Sequence, residues 1–407
     1  MKLSVIGAGS TYTPELVSHL QLDVDEVALH DIDTDRLEVV GGLAERMLAR
    51  AGYDGRLVRT GDLDAAIDGA AFVLFQIRVG GQAARLQDET IPLRCSCIGQ
   101  ETTGAGGFAK AMRTVPVILE LAERVAERAP GAWIVDFTNP VGIVTRALVD
   151  AGHRAIGLCN VAITFQRHCA RLLGIEPERV LVDQVGLNHL TWIRAVRIDG
   201  RDVLPQLLER HGDELADDLE LPRSVLDDLG ALPSYYLHYF YAHDRVLEEQ
   251  RHGTPRAQAV SEIERRLLEL YRDPTLDEKP ALLEQRGGAF YSEAAVGLVR
   301  SLATGDGAVH VVDVRNNGTL AGLADDDVVE VPARVDSDGA APLPQEPLAP
   351  ELLGLVQHVA AYERLAAAAA VTRDHVTARK ALLAHPLIGQ VEMVDALVDS
   401  LVAEAVS

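Results

Sequence analysis

Leu3-Ser4-Val5-Ile6-Gly7-Ala8-Gly9-Ser10-Thr11-Tyr12-Thr13-Pro14 is the stretch on which the fold turns. Leu3–Ile6 reads as a short buried strand, Gly7–Gly9 as a tight turn, and the chain from about Pro14 as a helix. Gly7 and Gly9 carry no side chain, so backbone N–H groups of the turn can approach a pyrophosphate at the start of the helix. Ser10 and Thr11 belong to the same candidate cofactor-binding turn, while Tyr12 stands where a dinucleotide fingerprint has its third glycine. Asp31 lies 22 residues beyond Gly9, at the end of the next β-rich run. A carboxylate there accepts hydrogen bonds from a ribose diol and repels a 2′-phosphate, which favours NAD over NADP. The bland alternative is an ordinary glycine turn and a solvated Asp.

Outward from this turn the first half keeps alternating. Glu26–His30, Leu57–Thr60, Phe72–Gln76, Trp133–Asp136 and Ala155–Leu158 read as strands. Thr34–Ala51, Gly107–Arg128 and Val141–Ala151 read as helices between them. Such alternation predicts βαβ units, hence a Rossmann-type, doubly wound parallel sheet over residues 1–174. After about Gly174 the pattern changes: Arg179–Gly186 and Thr191–Ile198 read as paired strands, and Val203–Leu229 is helix-rich. Val309–Arg315 and Val328–Val335 are β runs, Asp338–Pro350 a loop, and Leu355–Val402 helical. The expectation is a second, mixed α+β domain over 175–407, for substrate, catalysis and oligomerisation.

The charge balance narrows the function. Thirty-eight basic against 61 acidic residues give −23, which argues against nucleic acid and anionic membranes. No run of eighteen apolar residues marks a membrane span. Four cysteines in 407 residues make no disulfide framework, which points to a reducing cytoplasm. Only four lysines occur, Lys2, Lys110, Lys279 and Lys380, so nearly all positive charge is Arg.

Several residues at predicted strand ends carry chemistry. Cys159-Asn160 closes the sixth strand, on the face where doubly wound sheets bind ligands, and Gly186-Leu187-Asn188-His189 follows. A thiolate and an imidazole suit a divalent metal with open positions, although from spacing alone a small buried core Cys and a satisfied core His are the commoner reading. Asn139, in Phe137–Pro140, either reads a sugar hydroxyl or caps the next helix. Gly99–Gly107 is a glycine-rich loop before a helix. Residues 232–241 hold four of the nine tyrosines, either a packed aromatic helix or a phenol serving as base, lowered in pKa by a nearby cation or metal.

Together these pieces resemble glycoside hydrolase family 4, the NAD- and metal-dependent glycosidases, and within it the 6-phospho-β-glucosidases. The resemblance runs through Gly7–Pro14, Ile77–Gly80, Asp88-Glu89 to Pro92-Leu93, Gln100–Thr102, Phe137–Pro140 and Gly157–Val161. It continues through Gly186–His189, the Tyr236 segment, Arg256-Ala257 and Arg286–Ala289. The resemblance implies a fold like that of lactate and malate dehydrogenases. It implies Cys159 and His189 as ligands of Mn²⁺ or another divalent metal, Tyr236 as general base, and Glu101 as the residue that raises its basicity. It further implies Arg85 and Asn139 at the sugar and Arg256 at the 6-phosphate, where a guanidinium fork pairs bidentately. Asn160 stands where the α-specific branch has an Asp to protonate the leaving oxygen, which points to the β branch. Ala105 and Ala162 stand where the family usually has Pro, which predicts looser loops at the site, and Pro255 precedes Arg256 as an extra residue.

The implied chemistry oxidises sugar C3 with NAD⁺, removes the C2 proton, eliminates the aglycone, adds water and returns the hydride, unlike the usual pair of carboxylates. The expected partner is a phosphorylated β-glucoside, disaccharide or aryl, and the expected assembly a homodimer or homotetramer. Alternatives are a 6-phospho-α-glucosidase, a non-phosphorylated glycosidase, a stoichiometric NAD-dependent 2-hydroxy acid dehydrogenase, and a non-catalytic NAD- or sugar-phosphate-binding regulator.

Overall fold

The computed structural model describes residues 1–20, 24–288 and 290–406; Ala289, in the Arg286–Ala289 motif, lies outside them. Six strands come from the first half: β1 (Lys2–Ile6), β2 (Glu26–His30), β3 (Arg56–Thr60), β4 (Phe72–Phe75), β5 (Trp133–Asp136) and β6 (Ala155–Gly157). They lie parallel in the order β3-β2-β1-β4-β5-β6. This is the doubly wound Rossmann order, and its direction reverses between β1 and β4, where a crevice opens at the strand ends. β4 is a continuous apolar run, Phe72–Phe75, and β1 is apolar and buried at Leu3, Val5 and Ile6, as strands covered on both faces are.

The second half supplies β7 (Val180–Leu187), β8 (Leu190–Ile198), β9 (Arg201–Asp202), β10 (Leu232–Pro233), β11 (Val309–Arg315), β12 (Val328–Asp336) and β13 (Gly339–Pro342). They pair antiparallel and continue the same sheet as β6-β11-β12-β7-β8-β10, with β9 on β8 and β13 on β12. One large core contains Leu3, Phe75 and Phe108 together with Trp192, Val331 and Leu382, so both halves share it.

Some local expectations need correction. The Gly99–Gly107 segment is only partly a loop: the helix Gly104–Arg128 begins three residues earlier than periodicity predicts. Its glycines are there for close packing, since a Cβ on Gly106 would fall 2.3 Å from the Asp88 carbonyl oxygen and 2.4 Å from that of Gln100. Ala105 and Ala162 sit buried in the first turns of the helices Gly104–Arg128 and Val161–Leu173, not in loosened loops. Gly339–Pro342, read as loop, pairs with β12. The helices Gly81–Arg94 and Tyr291–Thr304 were not anticipated; Pro92 inside the first obscures its period. The helical C-terminus divides into Pro350–Thr372, His375–Ala384 and Val391–Val406, the first ending at Arg373 with φ +57°. Among the described residues no helix is long and apolar enough to cross a membrane.

Candidate active site

A cleft of about 1050 Å³ opens where the strand order reverses. Gly7, Gly9, Ser10, Asp31, Arg85, Glu101, Asn139, Asn160, Tyr236 and Arg256 all line it, so residues scattered over 250 positions converge. Thr11 does not: it is fully buried, and its carbonyl accepts from the Tyr271 hydroxyl at 2.8 Å. Cys159 and His189 lie just beneath the lining, 3% and 4% exposed.

The glycine turn is shaped by its neighbours. Gly7 has φ +89°, and a Cβ there would fall 2.8 Å from the Gln76 carbonyl oxygen, so only glycine fits. The Gly9 N–H donates to Asp31 Oδ2 at 2.8 Å, and the Asp33 N–H donates to Asp31 Oδ1 at 2.9 Å. These bonds fix the carboxylate at the cleft wall while each oxygen keeps a lone pair. Arg36 Nε donates to the Gly9 carbonyl at 2.6 Å, and Arg36, Arg286 and Gln82 converge on Glu264.

His189 ends the tight turn between β7 and β8, with φ +62°. Its tautomer follows from a proton count. The Thr102 hydroxyl donates to Gln100 Oε1 at 2.8 Å, so it accepts from His189 Nδ1–H at 2.9 Å. Nε2 is left with a lone pair, buried and, among the described residues, with no hydrogen-bond partner. Burial, helped by the Lys110 charge, lowers the ring's pKa to about 3, so it is neutral. A buried imidazole whose far nitrogen is anchored and whose near nitrogen is open has the form of a metal ligand. Tyr236 stacks on this ring, with centroids 3.5 Å apart and planes at 9°. The Tyr291 hydroxyl donates to Cys159 Sγ at 3.9 Å. Burial first, and the Glu330 charge next, hold the Cys159 thiol well above its ordinary pKa. A second group, His168, Glu214 and Asp218, has ligand-like spacing at the surface, but Arg171 reaches both His168 and Glu214.

Glu101 is the electrostatic centre. It pairs with Arg78, with Lys110 at 2.7 Å and with Arg85 at 3.1 Å. Burial alone would raise its carboxyl, but the three cations outweigh burial and hold it well below the usual range. Arg85 Nε also donates to Glu89 Oε1 at 2.7 Å, while Glu89 Oε2 accepts the Ala257 N–H at 2.8 Å. Glu89 therefore ties Arg85 to the first turn of the helix Arg256–Tyr271, where Arg256 lies exposed. The Arg256 guanidinium meets the carbonyls of Gln285 and Arg286, and no carboxylate pairs with it among the described residues.

Two expectations change here. Tyr236 is not lowered in pKa by the protein's own cations: burial first, then Cys159, Tyr239 and Glu101, hold it well above the phenol range against the charge of Arg85. Asn139 does not cap a helix, because the helix Val141–Asp150 has no side-chain cap; its Oδ1 is buried and unpartnered at the cleft. Arg78, Lys110, Tyr291 and the Glu264–Arg286 pair were given no role from sequence. Lys110 carried a signal, as a scarce lysine on the buried stripe of the helix Gly104–Arg128.

Comparison with known proteins decides the family. Residues 2–175 match the family model described as family 4 glycosyl hydrolase, and residues 184–388 match that of its C-terminal domain. The chain belongs to family 4 of the glycosyl hydrolases. Family 4 relatives differ in anomeric type. A probable 6-phospho-beta-glucosidase of Bacillus subtilis is 40% identical, over 95% of this chain and 92% of its own. The 6-phospho-beta glucosidase structure from Thermotoga maritima with manganese, NAD⁺ and glucose-6-phosphate superposes with TM-score 0.92 at 36% identity, over 100% of this chain and 98% of the other. A 6-phospho-alpha-glucosidase structure from gut microorganisms with NAD and glucose-6-phosphate reaches TM-score 0.91 at 27% identity, over 100% and 97%.

Proposed function

We propose that this family 4 enzyme hydrolyses 6-phospho-β-glucosides with NAD⁺ and a divalent metal such as Mn²⁺. The higher identity to the β-named relatives than to the α-named one carries the reading, and Asn160, which has no acidic proton, agrees with it.

The residues fit both groups. His189 Nε2 is an orphaned buried acceptor beside a thiol, a donor set suited to a borderline cation, and the glycine turn Gly7, Gly9 and Ser10 lines the cleft beside the Asp31 carboxylate. When bound, NAD⁺ supplies a hydride acceptor for sugar C3, and the cation, held by Cys159 and His189, supplies Lewis acidity at the C2 and C3 oxygens and positive charge beside Tyr236. Gly7, Gly9 and Ser10 cradle the cofactor phosphates, with Thr11 supporting the turn from below, and Asp31 accepts from the ribose diol. Arg85 and Asn139 orient the sugar hydroxyls, and Arg256 holds the 6-phosphate. Tyr236 Oη removes the proton from C2, and Glu101 raises its basicity through the field it projects. Asn160 contributes a neutral hydrogen bond at the glycosidic oxygen rather than a proton. In this reading residues 1–174 hold the cofactor and residues 175–407 complete the sugar site.

The test uses p-nitrophenyl β-glucoside 6-phosphate, omitting NAD⁺ or Mn²⁺ in turn. Each omission is expected to abolish release of nitrophenol, and NADH should not accumulate one-for-one with product. Activity surviving both omissions overturns the mechanism; preference for the unphosphorylated glucoside overturns the role of Arg256.

A further inference from the structure

Four residues lie side by side across the seam where the parallel sheet meets the antiparallel one. They are Gly157 on β6, Asp313 on β11, Glu330 on β12 and Gly186 on β7. Directly opposed residues of antiparallel strands share a face, so the Asp313 and Glu330 carboxyls stand against each other. They are 0% and 1% exposed. Amides of Gln184 and Asn188 donate to Glu330, one to each oxygen, Asn188 at 2.9 Å. Neither oxygen of Asp313 meets a donor from any other described group. Among the described residues no lysine or arginine forms an ion pair with either carboxyl.

Two carboxylates directly opposed in a dry interior do not both ionise. One proton therefore lies between them, carried by Asp313 and donated to Glu330, each of whose oxygens already accepts an amide N–H. Burial first, and the Glu330 charge next, act on Asp313 in the same direction.

The ends of this rung lead to the proposed metal ligands. Gly157 lies two residues before Cys159, and Gly186 three before His189. The seam is tight: a Cβ on Gly157 would fall 2.8 Å from Asp313 Cβ. Asn188, held by Glu330, is the residue next to His189. We propose that Asp313 and Glu330 are positioning residues for the metal: their hydrogen-bonded pair sets the separation of Cys159 and His189 across the seam, with Asn188 as the tether. This rests on the metal reading above.

The test titrates Mn²⁺ into the metal-free, full-length protein and follows free Mn²⁺ by electron paramagnetic resonance, with NAD⁺ affinity measured alongside by calorimetry. Asp313→Asn keeps a donor toward Glu330 and is expected to bind Mn²⁺ within about threefold of the wild type. Asp313→Ala and Asn188→Ala are expected to weaken Mn²⁺ about tenfold or more while leaving NAD⁺ affinity unchanged, as outer-shell losses do. Asn188 is only half-buried, so its variant keeps the test open if Asp313→Ala does not fold. Unchanged Mn²⁺ affinity in a folded alanine variant overturns the proposal, as does a parallel loss of NAD⁺ affinity, which marks a general structural defect. A wild type that binds no Mn²⁺ overturns the metal reading itself and this inference with it.

Discussion

At the scale of single residues, the site works through a contrast between Tyr236 and Glu101. Glu101 is buried and Tyr236 partly so, yet their environments push them in opposite directions. Tyr236 lies among His189, Tyr239 and Cys159, where burial and neighbouring negative charge outweigh the stabilising charge of Arg85. Its use as a base thus calls for a cation brought by the holoenzyme, and Tyr236→Phe should lower kcat by roughly 10²–10⁴-fold while Mn²⁺ and NAD⁺ affinities stay put. Steady-state kinetics with parallel binding titrations check this. Glu101 lies instead among Arg78, Arg85 and Lys110. Removing its charge leaves those cations facing each other, so Glu101→Gln should cost about 3–5 kcal/mol of stability, read by urea denaturation. Neither behaviour is legible in the sequence. A tyrosine cluster and a Gln-Glu-Thr triplet name the groups, but the sign of each shift depends on neighbours up to 151 positions away.

At the scale of elements, close backbone approach matters more than propensity. The helices Gly81–Arg94 and Gly104–Arg128 meet where Gly106 faces the carbonyls of Asp88 and Gln100. Gly106→Ala should therefore destabilise the protein by about 1–3 kcal/mol, although alanine is the better helix former. A thermal melt that is unchanged, or shifted upward, would count against this packing. The glycine-rich spelling of Gly99–Gly107 suggests a loop because composition does not tell a flexible glycine from one excluded by a neighbouring carbonyl. The central parallel strands are legible for the opposite reason: buried on both faces, they spell near-continuous apolar runs such as Phe72–Phe75, whereas the edge strand Arg56–Thr60 is only partly buried and carries two arginines.

At the scale of the whole molecule, one sheet and one core join the cofactor half to the substrate half. Behind the site this junction buries acids. Glu363, on the helix Pro350–Thr372, is raised to about 8, by burial first and then by Asp327 and Glu330, against Arg146. The folded state thus holds a proton that the unfolded chain releases near pH 4. Its stability contribution is full below that pH and falls as pH rises to about 8. Melting temperature should decline across this window, and Glu363→Gln should flatten the decline. An equal slope in wild type and variant would exclude Glu363 as its source.

Much of this protein is determined by sequence alone. The alternation of apolar strands with amphipathic helices fixes the doubly wound half, because periodicity is a local consequence of two-sided burial. The ordered set of short motifs, from Gly7–Pro14 to Arg286, places the chain in its family, because the chemistry requires particular groups at the strand ends. Tertiary structure alone decided the rest. It brought Arg256 to the cleft that Gly9 opens, and it fixed the tautomer of His189 through Thr102 and Gln100. It also set Asp313 against Glu330 across the seam. Each depends on contacts between distant segments, where burial and the count of available protons, rather than residue type, determine the charge a group carries.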